Sequence, residues 1–170
     1  MEKITGQTSG KYLRDKLLSV KNTDWQKIKE EVYYQDGSLR DIYILGTTKD
    51  DWQKWVNFVN QYYRVSFSAN DSEARYDNIP WAIIEDRFAG NYDFSCQASV
   101  YIEGIILNTF FFTEDQIEND ITPSEISTHK SHEQLMHYMQ AIASLLNKPV
   151  RLTDENHPEQ LLIEVNPCRL

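Results

Sequence analysis

Between Phe94 and Ile102 every second residue is apolar: Phe94, Cys96, Ala98, Val100 and Ile102, with Ser95, Gln97, Ser99 and Tyr101 between them. A period of two is that of a β-strand buried on one side and wetted on the other. The chain must then supply something to cover the dry side, and two stretches have the spacing for it. Trp52, Trp55, Val56, Val59, Tyr62 and Tyr63 recur every three or four residues, as do Leu135, Met136, Met139, Ile142, Ala143 and Leu146. Both read as amphipathic helices. Thr47 and Thr48 ahead of Lys49-Asp50-Asp51 offer a hydroxyl cap and acids suited to a helix start. Thr128 or Ser131 can do the same for the second helix, which Asn147 and Pro149 end.

Further strands follow from the same logic. Trp25-to-Gln35 and Ser38-to-Leu45 flank Asp36-Gly37, a two-residue turn signal that predicts a hairpin with strands near 26–35 and 39–46. Val65 and Phe67 give a short strand, Ser68–Asn78 a polar loop, and Pro80 opens a brief helix through Phe88. Glu103-Gly104 turns the alternating strand back into Ile105–Phe112, and Gln116–Ile121 adds another. Val150–Leu152 and Leu161–Val165 close the chain as two strands around the polar loop TDENHPEQ. Residues 1–10 read as a mobile tail, and Tyr12 to Val20 as a short helix. The expected fold is α+β: a single domain over 1–170, mostly antiparallel sheet with two main helices packed on it.

Charge is the next constraint. The net charge is −9, from 26 acids against 17 bases, which argues against nucleic acid, whose phosphates demand a basic patch. Residues 1–29 are locally basic, at +4, whereas from Phe88 to His129 there is no Lys or Arg at all. That stretch holds Asp93, Glu103, Glu114, Asp115, Glu118, Asp120 and Glu125. Acidic loops commonly serve solubility alone; an acidic face for a basic partner is the sharper reading. No apolar stretch approaches the ~20 residues that span a bilayer, and the N-terminal residues lack a signal-peptide core. Cys96 and Cys168 are too few for a disulfide framework, so a reducing cytoplasm is expected and a Cys96–Cys168 bridge is the lesser reading.

Motifs for chemistry are missing. His132 and His137 are five apart rather than the four of a helical H-E-x-x-H zinc site, so surface and capping roles fit them and His129 better. Cys96 lies among core positions, where a thiol is inert. There is no phosphate-cradling glycine loop and no G-x-S-x-G elbow. Glu118 and Asp120 share one side of a strand, but nothing beside them supplies a third ligand. No catalytic residue, metal site or cofactor is assigned. Tyr33, Tyr43, Tyr92, Tyr101 and Tyr138 fall where many tyrosines stay half-exposed, and tyrosine favours interfaces. The candidate partner-binding patch is Tyr101, Glu103, Glu114, Asp115, Glu118 and Asp120.

The segments SLRDIYILGTTKDDWQKWVNFV and PVRLTDENHPEQLLIEV, with their Asp-Gly turn, R-D-I-Y-I strand and tryptophan helix, resemble small acidic bacterial proteins of uncharacterised α+β families. Some of these look like immunity proteins of toxin systems. The resemblance implies a binding protein that neutralises a partner and transfers no functional residue. The leading expectation is a non-enzymatic protein-binding domain, an immunity-like inhibitor with its acidic side toward a basic protein. One alternative is an enzyme or small-ligand binder with a pocket between sheet and helices near Trp52, Trp55 or Trp81. Another is a structural subunit, a homodimer paired through an open sheet edge.

Overall fold

The computed structural model describes residues 24–69, 74–91 and 93–168, and the chain divides into two units, 1–34 and 35–170. The tail at 1–10, the helix expected at 12–20 and Tyr92 lie outside the described residues. In the first unit, residues 24–31 are helical, which overturns the strand expected at 26–35. Trp25, Ile28 and Val32 follow the helical period of three and four, and Gln26 Nε2 donates to Glu30 Oε1 across one turn at 2.7 Å. Asp36-Gly37 therefore closes no hairpin. Asp36 Oδ1 instead accepts from the Ser38 N–H at 3.0 Å and from the Ser38 hydroxyl at 2.6 Å, a local turn of the type aspartate makes with its own backbone.

In the second unit seven strands form one antiparallel sheet: β1 (Arg40–Leu45), β2 (Arg64–Ala69), β3 (Cys96–Ile102), β4 (Ile105–Phe110), β5 (Gln116–Ile121), β6 (Val150–Asp154) and β7 (His157–Val165). Their order across the sheet is β2-β3-β4-β5-β1-β6-β7, so the first strand of the unit sits near the middle. Among the described residues three α-helices accompany them, α1 (Lys49–Tyr62), α2 (Trp81–Phe88) and α3 (His129–Leu146), with one 3-10 turn at Pro123–Glu125. The α+β class, the antiparallel sheet and the two long helices on it are as the sequence predicts.

Local signals explain most boundaries. Thr48 caps α1 and Thr128 caps α3, each in a capping box closed by the residue three further on. Asn147 ends α3 in the left-handed conformation. Glu103 and Gly104, both at positive φ, make the tight β3–β4 turn. β4 stops at Phe110 rather than Phe112: Phe111 swings into the core against Trp52 and Phe67, while Phe112 is left exposed. The expected polar loop 153–160 is largely strand. β6 runs to Asp154, β7 starts at His157, and register shifts between Leu152 and Asp154 absorb the irregularity.

The core lies between the helices and one side of the sheet. Ile42, Ile44, Ala98, Val100, Leu107, Ile117 and Leu152 from the strands meet Trp52, Trp55, Val56 and Val59 of α1 and Leu135, Met139 and Ile142 of α3, all fully buried. One polar chain crosses this core. Trp55 Nε1 donates to the Tyr138 hydroxyl at 2.9 Å, that hydroxyl donates to Asn119 Oδ1 at 3.4 Å, and Asn119 Nδ2 donates to Thr109 Oγ1. Each buried polar group is thereby satisfied, tying both long helices to the sheet in one register. Tyr138, expected at a half-exposed position, is thus wholly internal. Tyr33 and Tyr43 are buried too, and of the described tyrosines in that group only Tyr101 stays half-exposed.

Candidate functional site

Because side chains alternate along a strand, the residues between the core positions all point to the other side of the sheet. The pairing brings Asp41 opposite Asp120 and Tyr43 opposite Glu118 on β1 and β5, and Asn108 of β4 opposite Asp120. Ser99, Tyr101, Ile106 and Phe110 lie on the same side of β3 and β4. This side is polar; on β1 Asp41 and Tyr43 are buried, while Ser99, Asn108, Glu118 and Asp120 are half-exposed, and within the second unit the helices pack on the opposite side.

At its centre two carboxylates, Asp41 and Glu118, flank one phenol, and a third, Asp120, lies opposite Asp41. The Tyr43 hydroxyl lies 3.2 Å from Asp41 Oδ2 and 3.2 Å from Glu118 Oε1. The backbone N–H of Asn156, in the β6–β7 turn, donates to Asp41 Oδ2 at 2.7 Å. Asn108 Nδ2 donates to Asp120 Oδ1 at 3.0 Å, and Gln116 Nε2 to Glu118 Oε2 at 3.1 Å. Burial pushes the carboxyls of Asp41 and Asp120 above the ordinary aspartate range; the neighbouring charges of Glu118 and Asp120 add to this at Asp41, and that of Glu155 at Asp120. Burial, and then the charges of Asp41 and Glu118, raise the Tyr43 phenol. None of the three carboxylates makes an ion pair among the described residues. The cross-strand neighbour of Tyr43 on β6, Arg151, is engaged by Glu164 at 2.8 Å.

The structure brings together only part of the patch predicted from sequence. Glu118 and Asp120 join in the centre. Tyr101 is two strands away, its ring covered by the Arg64 guanidinium 3.6 Å from the centroid. Glu103 sits in the β3–β4 turn, where Lys130 lies at 3.9 Å and Gln134 donates to it. Glu114 and Asp115 lie at the opposite end of the sheet, beside the start of α1, where their backbone carbonyls accept from Thr47. Tyr101 and Glu103 line an open groove of about 340 Å³ with Tyr62, Tyr63, Arg64 and His137.

The residue that the sequence reasoning missed is Asp41. Its alternation with Ile42 and Ile44 places it off the core side, but only the pairing of β1 between β5 and β6 sets it against Asp120. The other candidates fall as follows. Trp52 and Trp55 are fully buried, their rings packed against each other and against Phe88 and Phe111. His132 departs from the expected surface role: it is buried, and burial followed by the nearby His129 pulls its pKa down. His129 faces Glu133 at 3.6 Å. Cys96 is buried, which raises its thiol, and Cys168 is exposed; both are free. Among the described residues no group of His, Cys, Asp or Glu has the arrangement to hold a metal ion, and no helix is long and apolar enough to cross a membrane.

No family model and no curated protein matches the chain. Among solved structures the chain is similar to a chain of the 1.75 Å crystal structure of the toxic C-terminal tip of CdiA from Pseudomonas aeruginosa in complex with immune protein. The identity is 13%, the TM-score 0.49, and the match covers 78% of this chain and 97% of the other.

Proposed function

We propose that this is a non-enzymatic protein-binding domain of the immunity-like kind, acting in the cytoplasm and presenting the acidic centre of its sheet to a basic protein. The supporting observation is the cluster of Asp41, Glu118 and Asp120: a buried Asp41 and a half-buried Glu118 flank the Tyr43 hydroxyl, a half-buried Asp120 lies opposite Asp41, and no cation is among their partners. Ionised carboxylates only accept hydrogen bonds, and one phenol carries one proton. A lysine or arginine from a partner would add a charged donor to the half-exposed Glu118 and Asp120, and arginine would do so in a planar fork. The surrounding Asn108, Ser99 and Phe110 would form the rim, and Tyr101 with its stacked Arg64 a more distant flank. Charge of this kind speeds encounter and fixes orientation.

The test uses the basic protein encoded beside this chain's gene, purified as a complex. Affinity is measured at low and high salt, for the native chain and for Glu118→Lys/Asp120→Lys. The expected result is weakening of at least about tenfold between the two salt conditions and a comparable further loss in the double variant. An affinity indifferent to both changes overturns the reading.

A further inference from the structure

The two edges of the sheet are finished differently. At β2 the chain covers its own edge: the Phe67 N–H donates to the Tyr76 carbonyl and the Tyr76 N–H to the Phe67 carbonyl, each at 2.9 Å. At β7 the one strand neighbour among the described residues is β6. β7 is nine residues long, or roughly 30 Å of strand, and His157 to Leu161 are exposed throughout. Edges are ordinarily kept from pairing by shortness, by lysine, by proline or by a bulge. β7 has neither Lys nor Arg. Pro158 and one register shift, between His157 and Leu161, sit in its first half, and the other shift falls at Leu162, between Leu161 and Ile163; from the midpoint on, the strand reads Leu161-Leu162-Ile163-Glu164-Val165.

We propose that two copies of this chain associate through β7, antiparallel about a twofold axis at Leu161, so that the two sheets become one. Leu161 is the midpoint of the strand and is 49% exposed. An axis there sets Leu161, which lies between the two register shifts, against Leu161 of the second copy. Glu159 then stands opposite Ile163, Glu164 opposite Pro158 and His157 opposite Val165. No carboxylate faces a carboxylate, the arrangement that would oppose pairing, and the central leucine gains an apolar neighbour. The missing N–H of Pro158 removes a rung near each end rather than at the centre. The contact is isologous and closes on itself. Because each copy carries −9, salt tightens this association, the reverse of its effect on a basic partner.

The experiment is light scattering on the full chain over a concentration series reaching about 500 µM, for the native protein, for Leu161→Lys and Leu161→Glu, and for an equal mixture of the two variants. Circular dichroism confirms that each variant folds. The native mass is expected to rise with concentration from that of one chain to that of two. Each variant alone is expected to dimerise at least about tenfold more weakly, and the mixture to recover dimer, because lysine then faces glutamate across the axis. A native protein that is a single chain at every concentration overturns the proposal. So does a dimer untouched by Leu161→Lys, or a mixture no better than its components.

Discussion

On one side of the sheet Ile42, Ile44, Val100 and Ile117 are wholly covered by Trp52, Trp55 and Met139. One residue along the same strands, Asp41, Tyr43, Ser99 and Glu118 point the other way, and there the polar groups are held by one another rather than by apolar neighbours. The first side is optimised for burial, the second keeps acceptors in surplus. The difference separates what holds the molecule together from what it has left to offer another. Changes on the helix side should therefore read out as lost stability. Changes on the open side should read out as altered binding and altered pH dependence.

The largest effect is expected at the centre of the covered side. Trp55→Ala removes a fully buried indole and leaves the Tyr138 hydroxyl short of a donor, so urea denaturation should show a loss of about 3–5 kcal/mol. Tyr138→Phe keeps the ring and deletes the hydroxyl between Trp55 and Asn119, leaving both with an unmet group at a cost of about 1–3 kcal/mol. A near-neutral result for Tyr138→Phe would mean that the two long helices are held to the sheet by packing alone.

The open side should answer with the opposite sign. A carboxyl whose folded-state pKa is raised holds its proton more tightly when folded. Its stabilising contribution is complete below the unfolded-state value and is lost as the pH rises through the raised one. Asp41 and Asp120 are both of this kind, so thermal melts should show stability falling as the pH climbs above the ordinary aspartate range. Asp120→Asn keeps an oxygen for Asn108 and removes the charge. At neutral pH it should stabilise by less than about 1 kcal/mol, solvent screening included, and at acidic pH not at all. A destabilised Asp120→Asn at neutral pH would show that the centre is a structural fastening rather than a reserve of acceptors. Smallest of all is Glu103→Gln. Its carboxylate is exposed and its nearest cation, Lys130, is exposed as well, so the change should stay within about 0.5 kcal/mol by denaturant titration.

The same contrast governs how much the sequence discloses. β3 is legible because one side is buried and the other is not, giving Phe94 to Ile102 a strict period of two, and α1 and α3 are legible because each lays one stripe on the sheet. β7 hid its first half because both sides of His157-Pro158-Glu159-Gln160 face water, so nothing alternates. Residues 24–31 read as a strand only through the Asp36-Gly37 turn signal; the spacing of Trp25, Ile28 and Val32 is helical, and the turn is a local one closed by Asp36 on Ser38. Glu118 and Asp120 could be placed on one side of one strand from sequence. Asp41 could not join them, because its neighbour across the sheet lies 79 positions away at Asp120, a pairing no local pattern encodes. Glu103, Glu114 and Asp115 were grouped with them by closeness along the chain, whereas the turns that carry them lie at opposite ends of the sheet.

The central claim is that the acidic centre of the open side is what the partner covers. Carboxyl-group footprinting of the chain alone and in complex with the basic protein proposed as its partner tests it directly, by comparing labelling at Glu118 and Asp120 with that at Glu85 and Asp86 on α2. The account predicts that labelling of Glu118 and Asp120 is suppressed in the complex while Glu85 and Asp86 label as before. Suppression on α2 with Glu118 and Asp120 unchanged would contradict it.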